Sequence, residues 1–118
     1  KPCTLEVAEF FGDGDFLEIS INNGSFELFN QTFKFNHSEK IDNAKIMIRA
    51  ENFDFNERGV IEFSVLNKQF HGWYDDVTLS FGQTEICLQL TQSISNQFNI
   101  GQKIKADIKP NINWVYPT

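Results

Sequence analysis

The sequence is short of the groups that most often carry chemistry. Among 118 residues there are two histidines, two cysteines, one methionine and three prolines, and Arg49 and Arg58 are the only arginines. Cys3 and Cys87 lie far apart with no C-x-x-C clip, which leaves a zinc ribbon without support. No apolar run approaches the ~18 residues of a membrane span, so no membrane partner is expected. Ten basic residues against sixteen acidic ones give a net charge of −6. A phosphate backbone is held by Lys and Arg, and nucleic acid is therefore excluded as the expected ligand. There is no G-x-S-x-G nucleophile elbow, and neither cysteine has a histidine near it in the chain.

Phenylalanine is what the chain has in quantity. Thirteen positions are Phe and 41% of the residues are hydrophobic, and each buried ring removes roughly 150–250 Å² from water. A chain of this length closes one core, so residues 1–118 are read as a single all-β domain. The apolar residues alternate through most of it, at the two-residue period of half-buried strands.

Asn23-Gly24 supplies two left-handed residues for a type I′ hairpin. A two-residue loop there sets Ile21 opposite Phe26 and Ile19 opposite Leu28, which puts the large apolar residues on one face. A second turn is expected at Asn30-Gln31, where the apolar phase flips from Phe26 and Leu28 to Phe33 and Phe35. It would oppose Leu28 to Phe33, Phe26 to Phe35 and Glu27 to Lys34. Residues 16–36 thus read as a three-stranded meander, followed over 36–43 by a polar loop or one short helical turn. Ile46, Ile48 and Ala50 alternate and Phe53 and Phe55 take the other phase, so a bulge is expected near Glu51-Asn52. Asn56-Glu57-Arg58-Gly59 reads as a hairpin loop returning through Ile61, Phe63 and Val65. Gly82-Gln83 reads as a type II′ turn that sets Leu79 opposite Ile86 and Val77 opposite Leu88. Beyond it, Phe98 and Ile100 anchor a polar stretch, and Ile104, Ala106 and Ile108 begin a last strand. Ile112, Trp114 and Tyr116 continue its phase past Pro110, where a bend or an edge strand is expected. About 8–10 strands in consecutive hairpins predict an antiparallel β-sandwich or a flattened up-and-down barrel.

The chemical candidates are few. His37 and His71 would be the imidazoles of a ribonuclease-like acid–base pair, but neither sits in a motif. Gly12-Asp13-Gly14-Asp15 has the opening of a calcium loop without its later ligands, and reads as an acidic turn. Cys3, His37, His71 and Cys87 are too widely spaced to form a local zinc chelate. No enzymatic activity, metal or cofactor is expected. Three acceptor triplets for N-glycosylation begin at Asn23, Asn30 and Asn36.

The stretch His71-Gly72-Trp73-Tyr74-Asp75-Asp76 sets two amphipathic aromatics beside two carboxylates, a mixture suited to recognition. His71, Trp73, Tyr74, Asp75 and Asp76 are the candidate partner-binding residues. Trp73 shares the odd phase of Val77, Leu79 and Phe81 and would turn inward if the strand began there, leaving Tyr74 and Asp76 outside. Trp114 and Tyr116 read as core or edge packing. The acidic residues Asp13, Asp15, Glu51, Asp54 and Glu57 would steer a basic partner if they shared a side of the fold.

Size, charge and the lack of catalytic motifs predict a non-catalytic acidic binding protein. The expected type is an inhibitor or bacterial immunity protein that neutralises a basic protein such as a toxin nuclease, which must be cationic to hold its substrate. The alternative is a secreted carbohydrate- or surface-binding β-sandwich. The segment from Lys1 lacks the charged-then-apolar character of a secretory leader, so the expected location is cytoplasmic, or secreted if Cys3 and Cys87 are bridged.

Overall fold

The computed structural model describes residues 14–35, 42–111 and 114–117. Among the described residues ten strands make two stacked five-stranded sheets. In chain order they are β1 (Gly14–Asn22), β2 (Ser25–Leu28), β3 (Gln31–Lys34), β4 (Asn43–Arg49), β5 (Phe53–Phe55), β6 (Ile61–Phe70), β7 (Tyr74–Phe81), β8 (Thr84–Thr91), β9 (Lys103–Ile108) and β10 (Val115–Pro117). One sheet has the order β10-β4-β1-β2-β3 and the other β5-β9-β6-β7-β8, with every pairing antiparallel. This is an antiparallel β-sandwich. Its core is the shared filling of the two inner faces, with Phe26, Ile46, Ile48, Phe63, Leu79 and Leu88 among the residues wholly removed from water.

Two of the expected hairpins are present in register. Ile21 lies opposite Phe26 across Asn23 (φ 53°) and Gly24 (φ 73°), the paired left-handed conformation of a type I′ turn. The β1–β2 ladder is confined to Ile21–Phe26 and Asn22–Ser25, so the expected Ile19–Leu28 pair is not formed; along its other flank β1 pairs with β4 from Gly14 to Ser20. Leu79 lies opposite Ile86 and Val77 opposite Leu88 across Gly82 (φ 60°).

The second turn departs from expectation by one residue. It is Phe29-Asn30, with φ of 51° and 65°, and not Asn30-Gln31. Phe26 therefore faces Phe33, Leu28 faces Gln31, and Glu27 meets Thr32 in place of Lys34. Both placements flip the apolar phase alike, so alternation does not separate them. Tertiary packing does. The Phe29 ring is buried among Phe63 (5.1 Å between centroids), Phe81 (5.6 Å) and Phe53 (6.4 Å), all of the facing sheet. Asn23 and Asn30, each in an acceptor triplet, both sit at positive φ, a conformation asparagine tolerates better than most residues.

Two connections that read as local irregularities are crossings between sheets. Where a bulge was expected, a 3₁₀ turn at Ala50–Asn52 carries the chain from β4 in one sheet to β5 in the other. Asn52 secures it, being buried, accepting the Arg49 N–H (2.8 Å) and donating to the Lys109 carbonyl (3.0 Å). The chain returns around Pro110, and β10 becomes the edge strand beside β4. At that edge Val115 packs inward, Tyr116 is exposed against Phe16, and Trp114 lies against the Arg49 guanidinium, so the expected even phase does not continue past the proline.

Asn56–Gly59 is likewise not a hairpin loop. β5 and β6 do not pair; β9 lies between them, with Phe55 and Ile61 both level with Ala106. The connection crosses over β9, and a Cβ on Gly59 would lie 2.4 Å from the Ala106 nitrogen. Glycine is required there by close approach.

Candidate functional site

β6 and β7 meet at the end of the sandwich through Gly72-Trp73. The His71 N–H donates to the Tyr74 carbonyl (2.8 Å), which closes the strands, and Gly72 takes φ 94°, a value that costs an L-residue strain. With glycine absorbing the turn, Trp73 projects outward and is 71% exposed. Trp73 was expected inside only if the strand began there; β7 begins at Tyr74, and its first inward position is occupied by Asp75.

Asp75 is 5% exposed and is no contact residue. It sits beneath a short helix, α1 (Gln92–Ser95), accepting from the Ser95 hydroxyl (2.5 Å) and the Gln92 amide (2.7 Å). Lys68, on the same inner face, donates to the carbonyls of Ser95 (2.8 Å) and Phe98 (3.0 Å). The Ser95 bond holds the Asp75 carboxyl below its ordinary pKa against the opposing effect of burial, with Gln92, Lys68 and His71 acting in the same direction as Ser95. Asp75 and Lys68 thus pin the 92–98 segment over the end of the sandwich.

On the outer face His71 lies flat on Tyr74, with ring centroids 5.2 Å apart and 17° between planes, and its Nε2 is 2.9 Å from the Asp76 carboxylate. Trp73 meets the edge of Tyr74 at 4.7 Å. His71, Trp73, Tyr74 and Asp76 are therefore brought together at the surface, and Asp75 is separated from them by the sheet. His37 lies outside the described residues, as do Cys3, Gly12 and Asp13. Among the described residues no three His, Cys, Asp or Glu side chains form a group able to hold a metal. Asp15 accepts the Cys87 N–H (3.1 Å) and the Phe16 N–H (2.9 Å), which ties β1 to the edge strand β8.

The surface extends beyond the residues the sequence singles out. Phe70 is 70% exposed, and Leu66, Ile94 and Ile100 are exposed as well, the last against the expectation that it anchors the loop. With Trp73 these are five of the seven exposed large hydrophobics in the described residues. All lie on the second half of β6, its hairpin and the 92–101 segment, which Lys68 and Asp75 hold together. One sequence signal was present: Leu66 and Phe70 break the odd phase of Ile61, Phe63 and Val65, and the register indeed shifts between Val65 and Asn67.

This end carries little charge. Residues 86–102 contain no Asp, Glu, Lys or Arg, Lys68 is turned to backbone carbonyls, and the Asp76 carboxylate lies against the His71 ring. The acidic residues Glu51, Asp54 and Glu57 stand near the start of β6, where β5 lies level with Ile61. Ten residues of β6 separate them from the aromatics, a span of roughly 33 Å. Charge and aromatic surface thus occupy opposite ends of one strand.

Cys87 is disulfide-bonded; the chain's other cysteine, Cys3, lies outside the described residues. No helix among the described residues is long and apolar enough to cross a membrane. No protein-family model matches the chain, and no curated protein matches it. Fold and surface together define a class, an antiparallel β-sandwich with an aromatic, nearly uncharged end.

Proposed function

We propose that this chain is a non-catalytic binding protein that engages a partner protein through the end formed by the β6–β7 hairpin and the 92–101 segment. The observation that carries this reading is that Phe70, Trp73, Leu66, Ile94 and Ile100, five of the seven exposed large hydrophobics among the described residues, all fall on the second half of β6, its hairpin and the 92–101 segment, where residues 86–102 carry no charge. Interface centres are depleted of charge and rich in aromatics, with Trp and Tyr prominent among the residues that dominate affinity. Asn96, Gln97, Asn99 and Gln69 provide the polar rim.

The finer form of the proposal, an immunity-type inhibitor of a basic toxin, draws on the charge of −6 and on Glu51, Asp54 and Glu57 at the far end of β6. It makes the acidic end the docking surface and binding strongly salt-dependent. The apolar end makes binding salt-tolerant. A photo-crosslinker placed in turn at Phe70, Trp73 and Glu57, in cells of the source organism, separates them. One adduct common to positions 70 and 73 that persists in high salt is expected. Adducts from position 57 alone, lost in high salt, would transfer the proposal to the acidic end.

A second reading, a secreted carbohydrate- or surface-binding module, is favoured by the disulfide at Cys87, since such bonds persist in oxidising compartments. Trp73 and Tyr74 offer ring faces for sugars and the neighbouring amides offer hydrogen bonds. Binding to immobilised neutral glycans that disappears in Trp73→Ala would favour it over a protein partner.

A further inference from the structure

The asparagines of the described residues differ in what their side-chain amides do. Asn52 is buried, with its amide oxygen and nitrogen both bonded. Asn56 donates to the Asp54 carbonyl (3.0 Å) and the Asp107 carboxylate (3.3 Å) and accepts the Arg58 N–H (2.9 Å). Neither has Ser or Thr two residues on. Asn23 and Asn30 do, and both are exposed, with side-chain amides that bond to no described residue.

Turn chemistry accounts for one of these two triplets more fully than for the other. Asn23-Gly24 is the dipeptide that a type I′ turn selects, and the Ser25 hydroxyl is engaged, donating to the Asn22 carbonyl (3.1 Å). At Phe29-Asn30 the same pair of positive φ values has asparagine in the second place, where glycine is preferred. Thr32, on β3, is exposed, and its hydroxyl bonds to no described residue. Asn30 and Thr32 thus keep both polar groups of an acceptor triplet available in the folded chain.

We infer that Asn30 is an N-glycosylation site and carries an oligosaccharide on its Nδ2. The disulfide at Cys87 is the independent support, since such bonds persist in the oxidising secretory compartment where these triplets are modified. In the transfer, a bond forms between Nδ2 and C1 of the first N-acetylhexosamine of a lipid-diphosphate-linked oligosaccharide. The bond from C1 to the diphosphate oxygen breaks, the lipid diphosphate leaves with its electron pair, and the amide gives up one proton. The main chain of Asn30 is untouched, so the turn is kept. The inference rests on the secreted reading of the chain and not on what the aromatic end binds.

The placement suits a bulky, hydrophilic chain. Phe29, next to Asn30, packs on Phe81 at the end of β7 and on Phe53 at the start of β5, whereas Trp73 precedes the first residue of β7. The eight residues of β7, roughly 26 Å, thus separate Asn30 from the aromatic end. The sugar stands on the side of Glu51 and Asp54 and leaves Phe70 and Trp73 uncovered. β3, which follows the turn, is the edge of its sheet among the described residues, and a glycan at its head hinders another strand from pairing there.

The test uses the whole protein isolated from its native source, treated with peptide N-glycosidase in heavy-oxygen water and mapped by peptide mass. That enzyme cleaves the bond between Cγ and Nδ2 and leaves an aspartate, so an aspartate bearing heavy oxygen is expected at position 30. In protein made in the same cells, Thr32→Ala, changed only at an exposed position, is expected to lose this signal completely. Thr32→Ser keeps the hydroxyl and should retain it, as should Trp73→Ala. Unmodified asparagine at position 30 of the native protein, or sugar that persists there in Thr32→Ala, would overturn the inference. Unmodified asparagine together with a bridged Cys87 would leave the secreted reading standing, whereas a free Cys87 thiol in the same digest would remove both.

Discussion

Two turns of this sandwich each contain an aromatic residue, and they treat it in opposite ways. At Phe29-Asn30 the phenyl ring is turned into the core, and the residue itself holds φ 51°. At Gly72-Trp73 the glycine holds the positive φ and the indole is left in solvent. A left-handed conformation costs an L-residue roughly 1–2 kcal/mol, whereas burying a phenyl contributes about 1.5–3 kcal/mol and its edge-on ring contacts add about 0.5–1.5 kcal/mol each. Burial therefore outweighs strain at Phe29. Trp73 gains only an edge contact with Tyr74 and no burial, and this is the physical reason for proposing it as a binding residue.

That contrast is broken most directly at Phe29. Phe29→Ala is expected to destabilise the fold by about 3–5 kcal/mol, read by denaturant unfolding; a loss under about 1 kcal/mol would mean that the ring does not hold the sheets together. Asp75→Asn comes next, at about 1–3 kcal/mol near neutral pH, because it weakens the bonds that pin α1 over the end of the sandwich. Its pH signature has a definite sign. The folded-state pKa of Asp75 is lowered, so its contribution is complete above the unfolded-state carboxylate value and is lost as pH falls through the lower folded value. Unfolding measured across the acid range should show a decline in the parent that the variant lacks. The smallest stability effect belongs to Trp73→Ala, within about 0.5 kcal/mol. The same change is expected to cost the partner interaction about 2 kcal/mol or more, and equal losses in both measurements would remove the distinction between the two turns.

Much of the fold is legible in the sequence, and the reason is local. Asn23-Gly24 and Gly82-Gln83 carry their turn chemistry in the dipeptide, and alternation on either side then places Ile21 opposite Phe26 and Leu79 opposite Ile86. At Phe29-Asn30 local preference pointed elsewhere, because a phenylalanine at positive φ makes sense only once Phe53, Phe63 and Phe81 are in place around it. The site was half legible. His71, Trp73, Tyr74 and Asp76 do meet at one surface, while Asp75 was read as a contact because nothing near it in sequence announces Ser95, twenty residues on.

By itself the sequence determined the class of fold, several strand registers and the scarcity of charge between residues 86 and 102, since periodicity, turn preference and composition act over a few residues. The tertiary structure alone decided that β9 separates β5 from β6, that Phe29 turns in and Trp73 out, and that acidic and aromatic residues lie at opposite ends of β6. Those outcomes depend on which surfaces remain once the two sheets have packed, a property of distant segments together that no single stretch of the chain contains.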